Sequence, residues 1–252
     1  MRNLIILKSS EEIEEIKKAA QIAKIVMDRT LGWMHPGLTT LQVDKFVNSQ
    51  IKAFHSLPSF LGVDGYKFST CISINNEVVH GMPSNRKIRR GDIVSLDLGV
   101  KLNGWNSDMC RTKVADGKKK SDYVDKFLEV GIKALDEAIT QVVIGNRVGD
   151  ISSSIQKSVE TAGFNVIRDL TGHAIGRELH EDPMIPCFGK RGTGDVLQEG
   201  MVLCVEVMYV AGSPLLKSAK DGWTVSTMDG KISAMFEDMV AVAPDGPKVL
   251  TR

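Results

Sequence analysis

The chain has 252 residues, 42% of them hydrophobic and 25% charged, with 32 basic and 31 acidic side chains. That length allows one large domain or two small ones, and the apolar share supplies a real core, which excludes wholesale disorder. A net charge of +1 excludes a nucleic-acid binder working through bulk charge, and no apolar run reaches the ~20 residues of a membrane span.

Two helices open the chain. Ser9 stands three before Glu12, a capping-box spacing that starts a helix near Ser9 and Ser10. Ile13, Ile16, Ala20, Ala23 and Met27 then recur at helical intervals to about Trp33. His35-Pro36-Gly37 breaks that helix, and a second begins at Thr39 or Thr40 and runs through Phe54. Residues 68–74 are strand-like, Asn75-Asn76 is a turn, and Val78-Val79-His80-Gly81-Met82-Pro83 follows. Residues 93–100 and 105–114 flank Asn103-Gly104, a strong hairpin signal.

The pattern then restarts. Residues 122–143 form a long amphipathic helix. Gly145 breaks it, and a helix over residues 148–162 follows. Strand-like runs return at 201–210, 222–227 and 232–243. Gly37 and Gly145 are 108 residues apart, and each separates a long helix from a shorter one that precedes strands. We expect a single domain over residues 1–252. Its two αβ halves, about 9–115 and 120–245, would share one sheet, with a site between them.

The four cysteines form no C-x-x-C pair and are too few for a disulfide scaffold, so they read as buried and reduced. Residues 4–7 are the only apolar run at the N-terminus, too short for a signal-peptide core. A cytoplasmic protein is the expectation.

Asp97, Glu206 and Glu237 each interrupt an apolar strand. A buried, unpaired carboxylate costs several kcal/mol or neutralises itself. Three such cases point to a shared cation, the alternative being that each faces solvent. With a two-residue turn at Asn103-Gly104, Asp108 faces Gly99 and becomes the diagonal neighbour of Asp97, with Gly99 leaving it room. His173 sits in a glycine-flanked segment read as a loop, Gly172-His173-Ala174-Ile175-Gly176. His80 and His180 are the other histidines near turns. His35 and His55 receive no role. The set Asp97, Asp108, His173, Glu206 and Glu237 is hard and oxygen-rich, which suits Mn, Fe, Co or Zn ions. Four carboxylates call for two divalent cations, sharing a hydroxide at roughly 3.5–4 Å.

These residues, in their order, resemble type I methionine aminopeptidase in its short bacterial form. The likeness is carried by Cys71-Ile72-Ser73-Ile74-Asn75, by His80-Gly81-Met82-Pro83, and by Asp97 with Asp108. Gly172-His173, His180-Glu181-Asp182-Pro183, Glu206 and Phe236-Glu237 complete it. The resemblance implies a pita-bread α/β (α+β) fold. Its two pseudo-symmetric halves share a curved, largely antiparallel sheet with helices on the outer face. It implies removal of the initiator methionine when the second residue is small. By the same resemblance Asp97 holds one metal, Asp108 and Glu237 bridge both, and His173 and Glu206 complete the other. Glu206 shuttles a proton, His80 assists the leaving group, and His180 stabilises the oxyanion. Tyr66, Cys71, Leu179 and Trp223 would form the methionine pocket, and Asn75 and Ser233 match a monovalent-cation position. A monomer acting on nascent chains, with the ribosome as a further partner, is implied. Neither a specific nucleic-acid sequence nor a membrane is.

The chain departs from the family pattern at Ala174, Val207, Asp238-Met239 and Val63, none of which removes a ligand. Two other readings stay open on sequence: an X-Pro peptidase of the same fold, and a non-catalytic binding relative. The basic clusters Arg86-Lys87, Arg89-Arg90 and Lys118-Lys119-Lys120 read as solvated surface or a docking aid.

Overall fold

A computed structural model describes residues 4–116 and 121–252. The Lys118–Lys120 cluster lies outside the described residues. Helices α1 (Ser10–Trp33) and α2 (Thr40–Ala53) belong to the first half, and α3 (Asp122–Ile139) and α4 (Val148–Thr161) to the second. Ser9 caps α1 and Thr39 caps α2, each in a reciprocal capping box. Helix α3 stops four residues short of the predicted Val143. The hydrogen bonds shorten there to the Val142–Ile139 type, and Gly145 turns the chain at φ 88°.

A nine-stranded sheet joins the halves. Its main path runs Glu181–Pro186, Thr171–Ala174, Val202–Val210, Ser233–Ala243, Met109–Val114, Ile93–Leu98, Thr70–Ile74, with every neighbour antiparallel. The halves meet where Glu237 pairs with Cys110. Reading outward from that seam gives four strands of the second half and three of the first, and the first three on each side follow the same descending chain order, which is the pseudo-symmetry implied by the sequence. The two central strands of the second half, Val202–Val210 and Ser233–Ala243, are buried at every position, so their faces are covered by helices on one side and by the site on the other. Apolar side chains of α1 and α2 pack with Ile72, Leu96 and Leu98, and those of α3 and α4 pack with Leu203, Val205 and Val207.

The Asn103-Gly104 hairpin forms in the predicted register, Leu102 opposite Trp105 and Asp97 opposite Cys110. Both turn residues have positive φ, 52° and 83°, as a type I′ turn requires. Gly99 does not make room for Asp108, however. A Cβ there would meet the Ser107 carbonyl oxygen at 2.2 Å and Ser59 Cβ at 2.8 Å. The second correction concerns His173, which lies on the strand Thr171–Ala174 and not in a loop. Gly172 hides that strand in the sequence. It is needed because a Cβ would meet the Cys204 carbonyl oxygen at 2.5 Å. Strands at Glu181–Pro186 and Gly246–Val249 carry internal prolines and were not anticipated.

Candidate metal centre and substrate pocket

Sheet register assembles the site. Cys71, Asp97, Cys110, Glu237 and Glu206 are successive Cα partners across five strands, so all five lie on one face. Two residues along, His173, Cys204 and Met239 form a second row on the same face. Asp108 extends this second row, just before the strand Met109–Val114 begins, and its backbone N–H donates to Met239 Sδ at 3.2 Å. Four carboxylates and one imidazole from five separate segments therefore converge. Oxygens of Asp97, Asp108 and Glu237 lie within 4.8 Å of one another. That is closer than the roughly 7–8 Å of diagonal Cα neighbours.

The electrostatics demand a cation. Burial pushes the Asp108, Glu206 and Glu237 carboxyls well above the usual range, and mutual repulsion pushes them further. Burial raises Asp97 to about 7. Asp97 Oδ1, Asp108 Oδ1 and Glu237 Oε1 are buried with no hydrogen-bond partner among the described residues. Orphaned carboxylate oxygens crowded within 4.8 Å of one another fit divalent ions. His173 is held ready to ligate. Its Nδ1 is 2.9 Å from the Ala174 carbonyl oxygen, which directs Nε2 toward Glu206 at 3.5 Å and Asp108 at 4.0 Å. Burial lowers its pKa to about 3, so the ring is neutral.

Glu237 belongs to two ligand groupings, one with Asp97 and Asp108 and one with His173 and Cys204. The shared residue is where a bridge between two ions would lie. Nothing in the spacing of Cys204 marks it in the sequence. Its thiol stands in the second row, within 4.8 Å of a Glu237 carboxylate oxygen. All four cysteines are buried and free, as expected.

A cavity of about 390 Å³ opens beside the carboxylates and is lined by Tyr66, Cys71, Leu179 and Trp223, the predicted pocket residues, with Phe60 and Val63. Trp223 stands edge-on to Tyr66, centroids 4.8 Å apart. Tyr66 Oη donates to the Thr70 carbonyl at 2.8 Å and takes a weak bond from Cys71 Sγ at 3.5 Å. The polar tips are thus spent within the wall, and an apolar slot remains. His80 and His180 line the same cavity. His80 adopts φ 56°, which turns its ring out of the apolar run into the pocket. Gly81 allows this, since a Cβ there would meet the Ile72 carbonyl oxygen at 2.3 Å. Partial burial lowers both imidazole pKa values; His180 lowers that of His80 further, and Asp64 partly restores that of His180. The His180 ring meets His173 edge-on at 4.5 Å.

The departures from the family pattern are accommodated. Ala174 sits in a strand opposite Glu181 and is not among the residues with positive φ. Val207 continues the ladder opposite Phe236. Asp238, adjacent to Glu237 on its strand, is fully buried and paired with Arg111 and Arg252 at 2.5 and 2.7 Å. Val63 lines the pocket. Ser233 Oγ donates to the Asn75 carbonyl at 3.2 Å, so the two residues are neighbours.

The model of metallopeptidase family M24 matches residues 14–244. The chain is 42% identical over 248 residues to a methionine aminopeptidase of Clostridium perfringens, covering 98% of this chain and 99% of that one. It is 38% identical to methionine aminopeptidase 1 of Bacillus subtilis, covering 99% and 100%. Among solved structures, a methionine aminopeptidase of Thermotoga maritima superposes with TM-score 0.96 at 39% identity, covering 99% and 100%. A prolidase of Pyrococcus furiosus gives TM-score 0.80 at 26% identity, and this chain covers 65% of that protein. Family membership implies divalent-metal binding, for which the carboxylate cluster is the candidate, and no described helix is long and apolar enough to cross a membrane. On its ligand geometry and these full-length matches, the chain belongs to metallopeptidase family M24.

Proposed function

We propose that the chain removes an N-terminal methionine from polypeptides whose second residue is small. The observation that carries this reading is one cavity lined both by apolar side chains, Tyr66, Cys71, Leu179 and Trp223, and by a carboxylate–imidazole cluster. A flexible, unbranched side chain fits such a slot without a polar partner. The full-length likeness to methionine aminopeptidases, against partial cover of a prolidase, favours this over X-Pro cleavage.

Asp97, Asp108 and Glu237 would hold one ion, and His173, Glu206, Asp108 and Glu237 a second. Bound divalent ions supply Lewis acidity at the scissile carbonyl and lower the pKa of the attacking water. The side chains do the rest. Tyr66, Cys71, Leu179 and Trp223 enclose the methionine side chain and fix the first peptide bond over the cluster. Glu206 takes the proton from the attacking water and passes it to the leaving amine. His180, neutral at pH 7, donates an N–H to the carbonyl oxygen as charge builds there. His80, also neutral, orients the leaving nitrogen without repelling the α-ammonium of the substrate. The corner formed by Asn75 and Ser233 would take a monovalent cation. Four free thiols suit a reducing compartment, and cytoplasmic nascent chains at the ribosome, met by a monomer, are the matching substrate source.

Incubating metal-loaded protein with Met-Gly and X-Pro peptides tests the reading. Free methionine from the first and none from the second is expected. Cleavage of X-Pro alone would transfer the chain to the other activity.

A further inference from the structure

We propose that Lys8 is a positioning residue for the catalytic turn, fixing Leu179 and His180 through Glu181. This rests on the methionine-releasing reading and adds to it a residue 172 positions away from His180.

The segment 176–180 has no regular structure, yet it carries a pocket wall, Leu179, and the imidazole of His180. It is held from two sides. On one side Asn106 donates its backbone N–H to the Gly176 carbonyl at 2.9 Å and its Nδ2 to the Arg177 carbonyl at 2.8 Å. On the other side stands a buried ion pair. Lys8 Nζ lies 2.5 Å from Glu181 Oε2, with the two side chains only 1% and 4% exposed. The second oxygen, Glu181 Oε1, accepts the Glu178 N–H at 3.2 Å, and the Glu178 carbonyl accepts the Gly176 N–H at 3.1 Å. Lys8 is thus linked, bond by bond, to the turn.

The fit is close. A Cβ on Gly176 would meet Glu181 Oε1 at 2.5 Å and Lys8 Cε at 2.7 Å, so the pair packs against bare backbone. Lys8 is itself tied down, its N–H donating to the Gly200 carbonyl at 2.8 Å and its Nζ to the Ile6 carbonyl at 3.1 Å. No other cation is bonded to Glu181 among the described residues. Removing the ammonium leaves a carboxylate buried and unpaired, which is strongly unfavourable. Glu181 would then swing toward water and release the Glu178 N–H. The turn would loosen, and His180 would lose its edge-on seat against His173.

The test compares Lys8→Met, which keeps the stem and removes the charge, with Lys8→Arg and with the double variant Lys8→Met/Glu181→Gln. Steady-state kinetics are measured well below the melting temperature. For Lys8→Met, kcat is expected to fall by about 10-fold to 100-fold, the scale of a sub-ångström to one-ångström misplacement, with KM changing less. Hydrogen exchange at the Glu178 amide should accelerate. Lys8→Arg should restore both, and the double variant should recover part of kcat because no buried charge is left unpaired. A Lys8→Met protein with wild-type kcat and Glu178 exchange would overturn the inference, even if its melting temperature dropped. Exchange is read without substrate, so a wild type that releases no methionine would fail the proposed function while this test still stands.

Discussion

Glu206 and Glu237 are directly opposed on adjacent antiparallel strands at the centre of the sheet, both essentially buried. Like charges placed that way destabilise a sheet. The arrangement makes sense as a metal cradle, with stability spent on affinity for a cation.

The cost has a pH signature in the metal-stripped protein. Folded-state carboxyl pKa values lie above their unfolded values, with Asp97 at about 7 against 3.8. Such groups stabilise the fold fully below the unfolded value, and that contribution is lost as pH rises through the folded one. His173 acts oppositely, between 6.5 and about 3, and its effect fades over about the next unit above pH 6.5. The melting temperature of the stripped protein should therefore fall from pH 6.5 to 8.5, and added Mn²⁺ or Co²⁺ should raise it most at the high end. A stripped protein equally stable across that range would contradict the carboxylate cluster as drawn.

Glu206→Gln removes the proton carrier and one of two opposed charges at once. Turnover should drop by at least about 100-fold, while the metal-free fold becomes more stable. Circular dichroism and calorimetry check the second half; a variant that is both inactive and unfolded would not match.

Much of this site was legible in the sequence, because a carboxylate inside an apolar strand is conspicuous. The hairpin register placed Asp97 beside Asp108 from the Asn103-Gly104 turn alone. Long-range register was not legible. Nothing in the chain says that Glu237 pairs with Cys110, or that Cys204 lies opposite His173, since those pairings join residues 127 and 31 positions apart. The His173 strand was hidden by Gly172, whose reason is a close approach to another strand. Lys8 and Glu181 were invisible as a pair, being 173 residues apart and ordinary in their local contexts.

The pocket predicts tolerance of shape over chemistry. Tyr66 Oη and Cys71 Sγ are engaged with Thr70 and each other, leaving no polar group to read the substrate sulfur. An N-terminal norleucine should be released within about 10-fold of the methionine rate. Trp223→Ala removes one wall and should raise KM by about 10-fold or more, a loss on the scale of 1–3 kcal/mol. Paired assays on Met-Gly and norleucyl-glycyl peptides measure both.

Gly81→Ala should be out of proportion to its size. The new methyl would sit 2.3 Å from the Ile72 carbonyl oxygen, which is backbone and has little freedom to yield. Overpacking of this kind costs about 1–3 kcal/mol, and the displaced turn carries His80. Denaturant unfolding should show the loss together with reduced turnover; an unaffected enzyme would mean that the turn can relax.

The central claim is that one cavity joins a methionine slot to a divalent-metal cluster. Free methionine released from a Met-Gly peptide, measured while metal-stripped protein is titrated with Mn²⁺ or Co²⁺, tests it most directly. Release that is absent without metal, rises with added ion and fails with Asp97→Ala is the predicted result. Folded, metal-saturated protein that releases no methionine would contradict it.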